Sequence, residues 1–367
     1  MVIRAKTKYL FQGRDLTPRQ RENSQLNLHE IQDGAAVLHS FPRRLVLELT
    51  NACNLNCTMC GRNAAQFQAT IFQMEWLRYF EPLLDTVEEV TLMGWGEPTI
   101  HPEFVHMLEL IHRHSARIYF CTNGMRLKQL QKAIFDNQVD VFAVSVDGAS
   151  AATNNRIRRG SDLDQIVEAL REIKKEQRQQ QLVYPYVNFV FCAMKSNLHE
   201  LPDLVRLAAD IGLDEVKAVY LTAFDQALAH ETLWDCQGEV AEVFQKAAEL
   251  GESLGVTLKL PHLQGEDPAG NAAHKDCFVP WRDFFLGSDG MVRPCMSTPT
   301  QFFPFSADKP FMEMWNSEAF QRYRVSVNDP AKMDAPCKRC YQSSHCNWNR
   351  KLSFMQMDEA FYPDWKS

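Results

Sequence analysis

Six times this chain repeats one unit: a short β-branched or aromatic apolar run, a loop, then an amphipathic stretch. The runs are RLVLELT (44–50), EEVTLMGW (88–95), ARIYFCTNG (116–124), DVFAVSVDG (140–148), YVNFVFCAM (186–194) and EVKAVYLTA (215–223). Apolar runs of this length bounded by turn residues predict strands, and the 3.6-residue periodicity between them predicts helices. The last helical stretch, EVAEVFQKAAELGESLG, ends at Gly255 as a C-cap would. Strand–helix alternation requires a parallel sheet with right-handed crossovers. Six units build either an open doubly wound sheet or an incomplete barrel, and periodicity does not choose between them. In both, the loops after the strands' C-terminal ends form the functional rim.

That rim collects the unusual residues. CNLNCTMC (53–60) follows the first strand, GWGEP ends the second, TNG the third and SVDG the fourth. After VTLKLP (256–261) the repeat stops, and QGEDPAGNAAHKD (264–276) has linker composition. FFLGSDGMVRPC then carries Asp-Gly between two apolar runs, the signal for a tight hairpin, and FMEMWNSEAFQRYR reads as one short helix. The expected organisation is an N-terminal extension (1–43, polar, with no role assigned), a core (44–261), a linker (262–276), a small C-terminal domain (277–350) and a tail (351–367).

A net charge of −7 with dispersed Lys and Arg gives no reason to expect a nucleic-acid partner. No window approaches a membrane span and the N-terminus lacks an apolar signal core, so a cytoplasmic protein is expected. Eleven cysteines in a reducing compartment are ligands, nucleophiles or buried apolar residues rather than disulfides. Cys53, Cys57 and Cys60 form one group; Cys277, Cys295, Cys337, Cys340 and Cys346 form another; Cys121, Cys192 and Cys236 stand alone.

A [4Fe–4S] cluster normally takes four thiolates, so three cysteines leave one iron open, and an open metal position marks a reactive site. A zinc ion completed by a distant His or Cys is the other reading of the same triplet. CNLNCTMC resembles the CxxxCxxC signature of the radical S-adenosylmethionine (SAM) superfamily, and the other rim loops resemble that family's motifs in order. The resemblance implies a partial (β/α)6 barrel with a small C-terminal Fe–S domain. It implies that SAM chelates the open iron of a [4Fe–4S] cluster held by Cys53, Cys57 and Cys60, and that reduction by a flavodoxin- or ferredoxin-type partner splits the sulfonium to a 5′-deoxyadenosyl radical. It places Gly94, Gly96 and Glu97 of MGWGEP, Asn123 of CTNG and Ser145 of SVDG at the cofactor, with Glu97 or a carbonyl accepting from the ligand's ammonium. Arg159 of NRIRRG is the candidate partner of the methionine carboxylate, and Met59 the apolar residue beside the adenine.

Without a family, the second cysteine group suggests a zinc ribbon. It also resembles the SPASM or twitch extension of radical SAM enzymes, which carries auxiliary iron–sulfur clusters. The full two-cluster version has further cysteines, whereas this chain has none beyond Cys346. One closed auxiliary [4Fe–4S] cluster is expected, on Cys277, Cys295, Cys337 and either Cys340 or Cys346, with electron transfer as its work.

Hydrogen abstraction followed by electron loss gives oxidation or cross-linking, and thiol hydrogen return gives epimerisation. Cys121, Cys192 and Cys236 are the available donors; Cys236 is the better candidate, while Cys121 and Cys192, which sit in strands, read as packing. Residues 1–43 are too short and polar for a peptide-binding domain, which favours a small polar substrate such as a sugar or aminocyclitol. A peptide maturase making cross-links or epimers is the alternative. An electron-transfer iron–sulfur protein and a zinc-stabilised binding module are the readings from other classes.

Overall fold

The computed structural model describes residues 15–64, 68–223, 226–261, 263–264, 277–295, 300–335 and 337–338. Helix α1 (Pro18–Gln32) precedes β1 (Arg44–Leu47), α2 (Met74–Phe80), β2 (Glu89–Leu92), α3 (Phe104–His112), β3 (Arg117–Thr122) and α4 (Leu127–Asp136). Then come β4 (Val141–Ser145), α5 (Ala151–Ile157), α6 (Leu163–Gln179), β5 (Tyr186–Ala193), α7 (Leu201–Ile211), β6 (Glu215–Tyr220), α8 (Gln237–Leu254) and β7 (Thr257–Lys259). The C-terminal part holds α9 (Val279–Arg282), β8 (Asp283–Leu286), β9 (Met291–Arg293), β10 (Phe303–Pro304), α10 (Phe311–Trp315) and α11 (Glu318–Ser326).

The six expected units are the strands β1 to β6, paired in chain order and all parallel. A seventh parallel strand, β7, forms within VTLKLP, before the expected end of the repeat, where Thr257–Lys259 pair with the free edge of β6. The sheet is an open arc, as in a partial barrel, with β7 at one end and β10 at the other.

Strand alternation sorts the two faces. Ile118, Phe120, Phe142, Val144, Phe189 and Phe191 point to the helices and join the main core. Tyr119, Cys121, Val141, Ala143 and Val190 line the opposite, concave face. The helices present matching stripes: α7 buries Leu201, Leu204, Val205, Ala208 and Ile211, spaced for one face. It stops at Gly212 (φ +87°), and α8 stops at Gly255 (φ +71°) as the sequence predicts, both in the left-handed conformation that glycine accepts most readily.

Helix α1 explains the polar N-terminal stretch. It docks by its polar side: Gln20, Asn23, Ser24, Asn27 and Glu30 are buried, while Leu26 and Leu28 are exposed. Gln20 Nε2 donates to the carbonyls of Val87 (2.8 Å) and Ser115 (3.0 Å), and Asn27 Nδ2 to Trp281 O (2.7 Å). These side chains satisfy loop groups around the strands' N-terminal ends, which helices and sheet leave over. An apolar periodicity search cannot see such a helix.

Two expectations about the C-terminal part are refined. The hairpin forms at Asp289-Gly290, with Gly290 at φ +78°, but its first strand pairs in parallel with β1, so the hairpin prolongs the core sheet. The single expected helix is two, α10 and α11. Asn316 breaks it by pairing with the Leu38 backbone, its Oδ1 accepting from Leu38 N and its Nδ2 donating to Leu38 O, each at 2.8 Å.

Candidate functional site

The loop after β1 is zipped to residues 68–71: Asn51 Nδ2 donates to Gln68 O, Thr70 N to Asn51 Oδ1 (both 2.8 Å) and Thr50 Oγ1 to Thr70 O (2.7 Å). From this anchored base the chain turns through Cys53, Cys57 and Cys60, all half-buried. Leu55 N lies 3.4 Å from Cys53 Sγ, Asn123 Nδ2 3.8 Å from the same sulfur, and Arg158 Nη1 3.9 Å from Cys57 Sγ. Burial pushes the Cys57 thiol up to about 11; Cys53 and Cys60 beside it add to the rise and Arg158 opposes it. Burial likewise raises Cys53. Thiols of this kind ionise when a metal takes them. Among the described residues no three His, Cys, Asp or Glu converge on one ion. A cubane binds each thiolate on its own iron, and three half-buried sulfurs on one turn, two of them with N–H donors nearby, fit such a cluster.

The GWGEP loop packs directly on this turn. A Cβ at Gly96 would overlap the carbonyls of Thr50 and Ala52, and one at Gly94 the Glu48 side chain. The close approach expected at these glycines is therefore to the protein's own backbone and to Glu48. Glu48 in turn accepts from Trp95 N (2.7 Å) with one oxygen and from Ser288 with the other, linking the loop to the C-terminal hairpin. Glu97 sits at the end of the same loop. Its carboxylate is buried and accepts from Thr99 N (3.2 Å), Thr99 Oγ1 (2.6 Å), Thr122 Oγ1 (2.7 Å) and Asn123 N (2.6 Å). Through its two oxygens it braces the second rim loop against the third.

Asn123 is buried and holds Asn54 of the cysteine loop, Nδ2 to Oδ1 at 2.8 Å. Ser145 Oγ lies 3.6 Å from Cys121 Sγ on the concave face. Of the two adjacent arginines, Arg158 is the one that lies at the cysteine loop. Arg158–Arg159 pairs antiparallel with Asn56–Cys57, and successive residues of such a bridge face opposite ways. Arg158 is buried beside Cys57, whereas Arg159 is exposed. Arg158 Nε forms an ion pair with Asp147 Oδ2 at 2.7 Å. Asp147 is fully buried, and its other oxygen accepts from Cys192 N at 2.7 Å. Neither Arg158 nor Asp147 was singled out from sequence, although the alternation within RIRR carried the signal.

Met59 joins Ile157, Met194, Leu221 and Ala223 in a small apolar cluster at the rim, together with Cys192. The three lone cysteines fall on different sides of the sheet. Cys236 lies at the start of α8, packs on the main helix-side core and donates to Leu233 O at 3.5 Å. Cys121 and Cys192 belong to the concave-face clusters, because strand alternation turns them there.

In the second group, Asn328 clamps the Cys277 backbone, accepting from its N–H (2.8 Å) and donating to its carbonyl (3.2 Å). Tyr323 Oη lies 3.1 Å from Cys337 Sγ. Burial and the nearby sulfurs of Cys295, Cys337 and Cys277 raise the Tyr323 phenol well above its usual value. Cys340 and Cys346, the alternative fourth ligands, lie outside the described residues.

Residues 47–208 match the radical SAM superfamily and residues 277–341 the SPASM iron–sulfur cluster-binding domain. The chain belongs to the radical SAM superfamily and carries a SPASM domain. It is a radical SAM enzyme, with SAM, a [4Fe–4S] cluster and auxiliary iron–sulfur chemistry as its cofactors. More particularly, it is 23% identical over 329 residues to the tungsten-containing aldehyde ferredoxin oxidoreductase cofactor-modifying protein of Pyrococcus furiosus, covering 83% of this chain and 88% of that protein. It is 25% identical over 328 residues to the PqqA peptide cyclase of Bradyrhizobium diazoefficiens (85% of this chain, 82% of the cyclase). Streptococcus suis SuiB, solved bound to its precursor peptide SuiA, shares the fold at a TM-score of 0.60 and 14% identity, over 87% of this chain and 75% of SuiB. No helix among the described residues is long and apolar enough to cross a membrane.

Proposed function

We propose that this radical SAM enzyme modifies a peptide, forming a cross-link or inverting a stereocentre. The observation that carries this reading is the similarity, over most of both chains, to a peptide cyclase. The fold shared with SuiB, solved on a precursor peptide, is compatible with it. The small polar substrate expected from the short polar N-terminus becomes the second reading, and the cofactor-modifying relative keeps it in view.

When bound, the cluster and SAM supply a 5′-deoxyadenosyl radical that removes a hydrogen atom from carbon. Cys53, Cys57 and Cys60 are the proposed ligands of that cluster. Arg158, held in place by Asp147, is the cation proposed to meet the SAM carboxylate, in place of Arg159. Asn123 and Ser145 face the same rim, and Glu97 keeps two rim loops in register. The Met59 cluster gives an apolar wall that excludes water from a reactive intermediate. Cys277, Cys295 and Cys337 are the proposed ligands of one auxiliary cluster, with Cys340 or Cys346 as the fourth.

The test incubates anaerobically reconstituted enzyme with SAM, dithionite and the short peptides encoded beside its gene, following 5′-deoxyadenosine and peptide mass together. A peptide whose mass changes in step with 5′-deoxyadenosine supports the proposal. Unchanged peptides alongside oxidation of a sugar or aminocyclitol would overturn it.

A further inference from the structure

Tyr323 lies outside the residues assigned above to SAM, and its position is tightly determined. It lies on α11, 6% exposed, with its hydroxyl 3.1 Å from Cys337 Sγ. Its ring packs against Phe302 at a centroid distance of 5.5 Å, nearly edge-on. The next residue, Arg324, donates to the carbonyls of Pro280 (3.0 Å), Trp315 and Ala36 (both 2.8 Å). The guanidinium also lies 4.5 Å from the Trp315 ring centroid. These contacts stop α11 from rolling, so the phenol is held toward Cys337.

As a cluster ligand Cys337 is a thiolate and has no proton to give. The hydrogen bond then runs from Tyr323 Oη to Cys337 Sγ. Donors to cluster sulfurs favour the more negative, reduced state, and they are one of the levers that set a cluster's potential. We propose that Tyr323 raises the reduction potential of the auxiliary cluster by donating a hydrogen bond to the Cys337 thiolate, and so positions that cluster to take up electrons. The proposal rests on the reading of Cys277, Cys295 and Cys337 as ligands of that cluster.

The full-length Cys53/Cys57/Cys60→Ala variant isolates the auxiliary cluster for anaerobic reconstitution, iron analysis and EPR-monitored redox titration. Within it, Tyr323→Phe is expected to keep the same iron content while the midpoint potential becomes more negative. Replacing Tyr323 with 3,5-difluorotyrosine, a stronger donor of similar shape, is expected to move the potential the other way. Transfer to D2O is expected to remove one proton coupling from the reduced cluster's spectrum in the Tyr323 protein, and that coupling is absent in the Phe variant. Retained iron with an unchanged potential in both substitutions overturns the proposal. If Tyr323→Phe loses iron, the difluorotyrosine shift decides by itself, and its absence is equally fatal. Loss of all iron in the triple-cysteine variant would instead refute the ligand assignment, which distinguishes the two failures.

Discussion

Arg158 and Asp147 form a buried ion pair whose guanidinium also lies near Cys57, a proposed cluster ligand. Removing one partner of such a pair leaves an uncompensated charge and costs about 3–5 kcal/mol. Arg158→Gln is therefore expected to lower the denaturant midpoint markedly and to suppress 5′-deoxyadenosine formation. Arg159→Gln, at an exposed position, is expected to change stability by no more than about 0.5 kcal/mol. Denaturation and a 5′-deoxyadenosine assay on both variants check this, and the opposite ranking would return the role to Arg159. At this scale residue types were legible and orientations were not. Cys53, Cys57 and Cys60 announce themselves by spacing. Glu97 reads as a free carboxylate until Thr99, Thr122 and Asn123 are seen to occupy it.

Helix α1 is held by side-chain hydrogen bonds rather than by an apolar stripe. Asn27→Ala leaves the Trp281 carbonyl and Ser40 hydroxyl without that partner and is expected to cost about 1–3 kcal/mol. Leu28→Ala on its outer side is expected to be neutral within about 0.5 kcal/mol, and urea titrations of the two separate the cases. The contact between β1 and β8 depends on Asp283, which Arg44 and Arg282 flank. Burial alone would raise the Asp283 carboxyl, but the two arginines outweigh it and hold the group well below the usual carboxylate range. A depressed folded-state pKa contributes stability above the unfolded value, near 4, and that contribution is lost as pH falls through the folded one. The wild type is thus expected to lose stability below about pH 4 more steeply than Asp283→Asn, as denaturant midpoints measured against pH will show. The strands and amphipathic helices were legible from periodicity, whereas α1 was not, because its partners are backbone groups distant in sequence.

The C-terminal part and the core share one sheet and one aromatic cluster. Phe80 packs against Phe284, Phe305 and Phe311, and Trp76 against Phe305. Ending the chain at residue 261 would expose the edge of β1 together with these rings. The truncated protein is expected to aggregate or to lose its cooperative unfolding transition. Point changes should behave differently: Cys57→Ala abolishes 5′-deoxyadenosine formation, while Cys295→Ala keeps part of it and loses the product. Equal loss in both would show that the second cysteine group supports the core as structure. The sequence by itself determined the six parallel units, the rim that carries the cysteines, the hairpin at Gly290 and the radical SAM class. The units, the rim and the hairpin follow from local spacing and periodicity, which each segment carries alone, and the class from the resemblance of the rim motifs to that family's. Only the tertiary structure decided that β8 completes the edge of β1, that Arg158 rather than Arg159 reaches Cys57, that Cys192 rather than Cys236 shares the Met59 cluster, and that Tyr323 meets Cys337. Each of these depends on the direction in which a side chain or strand edge points toward a remote segment, and that direction is set when the sheet and its helices pack.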